Sequence, residues 1–129
     1  MEVTYVEGAE RSPFLSENYA WAAGLLEGEG CFSYFKKKNR KNTYTCAIHC
    51  EMTDEDVIKT LADTFQVGNW YPIKKRADDK VRKQSWRWTV YKQKDVFGVL
   101  LKISPYMHGR RKEKIAQLIE HLEERILGS

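Results

Sequence analysis

Apolar positions change their period several times along this 129-residue chain, and each change marks an element. Residues 1–15 hold no steady period and contain Gly8 and Pro13. Ser16 can then cap a helix from about Glu17 to Gly28, which glycines terminate. Cys31 to Lys38 alternates as a strand does and is joined through residues 39–42 to a second strand, Thr43 to Met52. Behind Thr53-Asp54, Val57, Ile58, Leu61, Ala62 and Phe65 recur at helical spacing, with Gly68 just beyond the end. Trp70 to Arg76 and Lys83 to Tyr91 form a second hairpin around Ala77 to Val81. A helix from Lys94 to about Ile103 is stopped by Ser104-Pro105. A last helix, about Arg110 to Leu127, puts Ile115, Leu118, Ile119, Leu122 and Ile126 on one face.

This order predicts an α+β architecture, with one antiparallel sheet covered by helices on a single face. Residues 16–129 form one domain behind an N-terminal extension, 1–15. In the last strand Trp86, Trp88 and Val90 share one side, and Lys83, Ser85, Arg87, Thr89 and Tyr91 share the other. In the second, Thr43, Thr45, Ala47 and His49 oppose Tyr44, Cys46 and Ile48. The first and third strands are mixed on both sides; Ser33, Lys37, Tyr71 and Lys75 are assigned to the uncovered face.

Composition sharpens what that face is for. Four Trp, seven Tyr and five Phe supply a core of single-domain size. The net charge of +4 is modest but unevenly placed. Residues 31–50 carry five basic side chains and no acid, and residues 68–94 carry nine against Asp78 and Asp79. A basic, hydroxyl-rich ribbon fits the major groove, where such side chains read base edges while lysines neutralise phosphate. Ser33, Lys37, Lys38, Arg40, Lys41, Thr43, Thr45, His49, Tyr71, Lys75, Lys83, Ser85, Arg87 and Thr89 are therefore expected to contact double-stranded DNA. The alternative is that these charges only solvate an exposed face and blunt its edges.

No run approaches the roughly 18 apolar residues of a membrane span, and the polar start lacks a signal-peptide core. A soluble, intracellular protein with no membrane partner is expected. Three cysteines, Cys31, Cys46 and Cys50, suit free thiols. Cys46, His49 and Cys50 have zinc-like spacing, but a closed site needs a fourth ligand and the segment is a strand, so packing is the default reading.

The first helix carries the candidate chemistry. Ala20, Gly24 and Gly28 fall four apart on one stripe, which lets two helix backbones come close. Glu27 and Glu29 stand at the negative end of the helix dipole, where a cation would relieve them. Ala22 to Gly30, Ala-Ala-Gly-Leu-Leu-Glu-Gly-Glu-Gly, resembles the LAGLIDADG motif of homing endonucleases, with Ala22 for the first Leu and glutamates for both aspartates. The likeness continues through Cys31-Phe32 and returns in Ser104-Pro105-Tyr106-Met107 and Arg110-Arg111-Lys112, spanning roughly residues 17 to 127.

The resemblance implies an αββαββα fold with a curved sheet whose concave face binds DNA. It implies a magnesium-dependent homing endonuclease, intron-encoded or free-standing, that cuts both strands of a pseudo-palindromic target, leaving short 3′ overhangs across the minor groove. By the same resemblance Glu29 is the metal ligand, the Gly28 carbonyl oxygen a second one, and Glu27 more structural. One motif per chain then requires a homodimer, with Ala20, Ala23, Gly24, Glu27 and Gly28 at its interface. The family's basic residue after the Pro-aromatic turn falls at Arg110, beside Arg111 and Lys112. Arg110 and Lys112 are the catalytic candidates and Arg111 a DNA contact, although an arginine stays protonated and does not readily relay a proton. Polar side chains that order solvent near the end of the second strand fall at His49, Cys50 or Glu51. Two other readings stay open: a binder of DNA or RNA without cleavage, such as a regulator or splicing maturase, and a protein-interaction domain. An intein is not expected, since no splicing-domain sequence flanks the motif.

Overall fold

The computed structural model describes residues 15–36, 44–74 and 83–127. The expected extension, 1–15, lies outside them except for Leu15, which opens the first helix. The elements run α1 (Leu15–Glu29), β1 (Gly30–Lys36), β2 (Tyr44–Met52), α2 (Glu55–Phe65), β3 (Asn69–Pro72), β4 (Trp86–Val90), α3 (Gln93–Ile103), a 3-10 turn (Ser104–Tyr106) and α4 (Gly109–Leu127). All strand pairs are antiparallel, in the order β1-β2-β4-β3. The two expected hairpins therefore meet through β2 and β4 at the centre of one sheet.

Each helix gives its apolar stripe to the same side of that sheet. Ile58, Leu61, Ala62 and Phe65 of α2, Val96, Val99, Leu100 and Ile103 of α3, and Ile115, Leu118 and Leu122 of α4 join one core. Ala22, Ala23 and Leu26 enter it from α1, and Phe32, Cys46, Ile48, Cys50, Trp88 and Val90 from the strands. Trp88 is its centrepiece: fully buried, stacked on Phe65 at 5.6 Å, with its indole N–H donating to the Val67 carbonyl at 3.0 Å. Acids Glu55 and Asp56 favour the positive start of α2. Its end is made by Gln66 in the left-handed region rather than by glycine, with the Gln66 N–H donating to the Ala62 carbonyl. Gly68 follows at φ 82°, where a Cβ would lie 2.5 Å from the Thr89 carbonyl oxygen, so only glycine lets this turn lie against β4.

Gln93 fastens α3 to the sheet. Its side-chain amide accepts from Cys46 N–H and donates to the Cys46 carbonyl, both at 2.9 Å, as a neighbouring strand would.

Candidate nucleic-acid interface and metal-binding helix end

Strand register settles the faces that alternation alone left mixed. Phe32 pairs with Ile48, Ile48 with Val90, and Cys50 with Trp88, all toward the helices. Cys31 opposite His49, Ser33 opposite Ala47, Glu51 opposite Arg87, and Tyr71 opposite Arg87 therefore lie on the helix-free face. Ser33, His49, Tyr71, Ser85 and Arg87 are half-buried there, and Lys83 is exposed. Lys37, Lys38, Arg40, Lys41, Thr43 and Lys75 lie outside the described residues.

Thr45 and Thr89 need correction as contact residues. They are on the expected side but only 6% and 2% exposed, Thr45 opposite Phe35 and Thr89 between His49 and Asn69, each of which carries a longer side chain. They form the floor of the face and not its surface. His49 rises above that floor, edge-on to Tyr91 at 5.4 Å, and its Nδ1 is buried without a partner among the described residues. Burial, then the nearby Arg87 charge, push its pKa below the ordinary value, so it is neutral near pH 7. Cys46 and Cys50 face the core while His49 faces away, so the three do not converge. Burial pushes both thiols up to about 11, and at Cys50 the Glu29 carboxylate adds to the effect.

The C-terminal end of α1 is fastened to the start of α4 by two clamps. The Glu27 carboxylate accepts from the His108 backbone N–H at 2.7 Å and meets His108 Nδ1 at 3.1 Å. This places a negative charge against the positive start of α4. Arg111 donates from Nη1 to the Gly30 carbonyl at 2.7 Å and to the Leu26 carbonyl at 3.5 Å, while its guanidinium lies over the Phe32 ring. Cationic donors thereby satisfy carbonyls at the negative end of α1. Arg111, expected to contact DNA, instead turns inward because it continues the buried stripe of Ile115, Leu118 and Leu122 at helical spacing. That spacing was available in the sequence; the Glu27–His108 clamp had no such signal.

Between the clamps Glu29 is exposed and has no hydrogen-bond or ion-pair partner among the described residues. Arg110 and Lys112 are exposed on the first turn of α4, brought toward the same end by the neighbouring clamps. Gly24 and Gly28 lie exposed on α1, and a Cβ at either would meet nothing within 4 Å. Trp21, one turn before Gly24, is 42% exposed, and Ala20 is half-buried. Two of the residues expected at a helix pair face elsewhere. Ala23 is wholly buried in its own core, and the Glu27 carboxylate is committed to His108.

A carboxylate and backbone carbonyls are hard oxygen donors, which suit magnesium, an ion that retains several waters and needs few protein ligands. Among the described residues no three His, Cys, Asp or Glu side chains converge as a metal cage. Glu29 and the Gly28 carbonyl are donors of the kind magnesium takes, but they are too few to form a closed cage within the described residues.

No protein-family model matches this sequence, and no curated protein does. Solved structures do resemble the fold. A homing endonuclease, I-CvuI, in complex with its target in the presence of calcium, is 14% identical, with 88% of this chain covering 70% of that one at a TM-score of 0.68. An archaeal intron-encoded homing endonuclease complexed with DNA is likewise 14% identical, with coverage of 87% and 70% and a TM-score of 0.68. A LAGLIDADG meganuclease, I-AabMI, bound to uncleaved DNA, is 11% identical at a TM-score of 0.64, and 84% of this chain spans 36% of it. At these TM-scores, with four helices over one four-stranded antiparallel sheet, the chain has the fold of the LAGLIDADG homing endonucleases.

Proposed function

We propose that this chain is a site-specific double-strand DNA endonuclease that works as a homodimer on a pseudo-palindromic target with a divalent cation. The observation that carries the reading is Glu29, an exposed carboxylate without a hydrogen-bond or ion-pair partner among the described residues, at the negative end of a helix whose outer stripe is Trp21, Gly24 and Gly28. Packing two such stripes together brings two Glu29 side chains to one place, beside two helix-free sheet faces that would lie along the major groove. Glu29 and the Gly28 carbonyl oxygen would hold magnesium, which when bound supplies Lewis acidity and a more acidic water.

The remaining work belongs to the chain's own groups. Arg110 donates to non-bridging phosphate oxygens, and Lys112, exposed on the same turn, adds positive charge. Glu27 and Arg111 hold these elements in register from behind. Ser33, His49, Tyr71, Ser85 and Arg87 offer the groups that meet the bases, and Lys83 suits phosphate. A second reading, binding without cleavage by a regulator or an RNA-splicing maturase, is favoured by Arg110, which stays protonated where proton relay would be useful.

The test uses duplexes selected by the protein from a random pool, cloned into supercoiled plasmid and incubated with Mg²⁺. The endonuclease reading expects linear product, and Glu29→Gln should bind the same sites without cutting them. Tight binding with no nicking by the unaltered protein would favour the second reading, and no selected duplex would end the endonuclease reading and the DNA-regulator form of the second.

A further inference from the structure

Glu51, Arg87 and Tyr71 stand in one row across β2, β4 and β3 on the helix-free face. Arg87 Nη2 donates to Glu51 Oε1 at 2.8 Å, and the Tyr71 hydroxyl acts on the same guanidinium. The two charged side chains are 39% and 44% exposed, so the pair is held in place yet reachable from outside. Glu51 is the one acid on this face among the described residues. A carboxylate is repelled by phosphate, so this row is badly suited to the backbone of a nucleic acid. It is well suited to base edges.

We infer that the Glu51–Arg87 pair reads one G·C base pair in the major groove, with guanine beneath β4 and cytosine beneath β2. In that groove guanine presents two acceptors, O6 and N7, and its partner cytosine presents an amino donor, N4. Arg87 has five N–H donors, and the bond to Glu51 leaves others for both guanine acceptors. Glu51 retains lone pairs for the cytosine amino group. Adjacent strands are about 4.8 Å apart, a rung length on the scale that separates the two bases of a pair. An A·T pair presents the adenine amino group where the guanidinium needs an acceptor, and the thymine O4 acceptor where the carboxylate needs a donor. Because Glu51 already fixes the guanidinium, little side-chain freedom is lost on binding.

The inference rests on the DNA-binding reading above, and the experiment separates the two. Duplexes are selected from a random pool by the unaltered protein, by Arg87→Lys and by the near-isosteric Glu51→Gln, and their affinities are measured at two salt concentrations. The unaltered protein should select an invariant G·C at one position of each half-site, and replacing it with A·T should weaken binding about 10- to 100-fold. Arg87→Lys, which keeps the charge but loses the planar fork, should erase the preference at that position alone and keep the salt dependence. Glu51→Gln should weaken the same preference. Selected sites with no G·C that depends on Arg87, or a preference unchanged in Arg87→Lys, would overturn this inference and leave DNA binding standing. Failure to enrich any duplex would overturn both.

Discussion

Gly24→Ala should move stability and association in opposite directions. Gly24 lies in the middle of α1, and the space where a Cβ would stand is open to 4 Å. Alanine in a helix interior is favoured over glycine by about 0.8–1.0 kcal/mol, and nothing in the protomer offsets that gain. For a chain of this size the gain corresponds to a rise in Tm of about 3–5 °C. In the proposed dimer the added methyl enters a contact between two backbones, and twofold symmetry inserts it twice. Overpacking of this kind costs about 1–3 kcal/mol, which raises the dimer dissociation constant about 5- to 150-fold. Circular-dichroism melts over a dilution series, with sedimentation equilibrium for the dissociation constant, read the two effects separately. An unchanged dissociation constant alongside a raised Tm would refute the helix-pairing argument. A lowered Tm in the dissociated protein would refute the open space from which it starts.

Four further outcomes are expected. Hydrogen bonds from the His108 side chain and then its backbone N–H hold the Glu27 carboxylate below its ordinary pKa of 4.5. A depressed folded pKa makes this contribution complete above the ordinary value and lost as pH falls through the lower one, so Glu27→Gln should flatten the acid limb of a Tm-against-pH profile; identical limbs would reject the clamp. Arg111→Met removes the charged donor from the Gly30 and Leu26 carbonyls and should cost about 1–2 kcal/mol in urea unfolding, with no loss counting against the cap. Gly68→Ala, strained at φ 82° and directed at the Thr89 carbonyl, should destabilise by about 2 kcal/mol or more in the same assay. Gly98→Ala, in α3 with open space around its Cβ position, should stabilise by up to about 1 kcal/mol.

The periods of 3.6 and 2 were strong enough to locate every helix and strand described within a few residues, because burial on one side imposes them. Trp86, Trp88 and Val90 against Arg87 and Thr89 is such a case: the core accepts one set, so the other must face away. For β1 and β3 neither side was clearly apolar, and only the pairing of Cys31 with His49 and of Tyr71 with Arg87 fixed their faces. Burial along the helix-free face was less legible. Thr89 is covered because of what stands beside it on adjacent strands, a property of the assembled sheet and not of its own neighbours in sequence. Polar partners far apart in the chain left no periodic trace either. Gln93 with Cys46, Arg87 with Glu51 and Glu27 with His108 join segments whose approach follows from the whole fold.

Two acids in the same short motif meet different fates, and the difference bears on function. Both begin with the same handicap, since a carboxylate near the last turn of a helix opposes the helix dipole. Glu27 is relieved inside the protomer by His108, and Arg111 offsets the adjacent carbonyls. Glu29 has no such relief among the described residues. The same helix carries a second local cost, since Gly24 gives up helix propensity without any close neighbour to require it. Within one copy the two costs are unrelated, and neither contributes to packing. In the proposed dimer, α1 against its twofold mate would give Gly24 a backbone to lie against and bring two Glu29 carboxylates together, which would make a shared cation favourable where either acid alone would hold one weakly. One assembly step of that kind would remove both costs, whereas a merely structural domain would have to carry them without return.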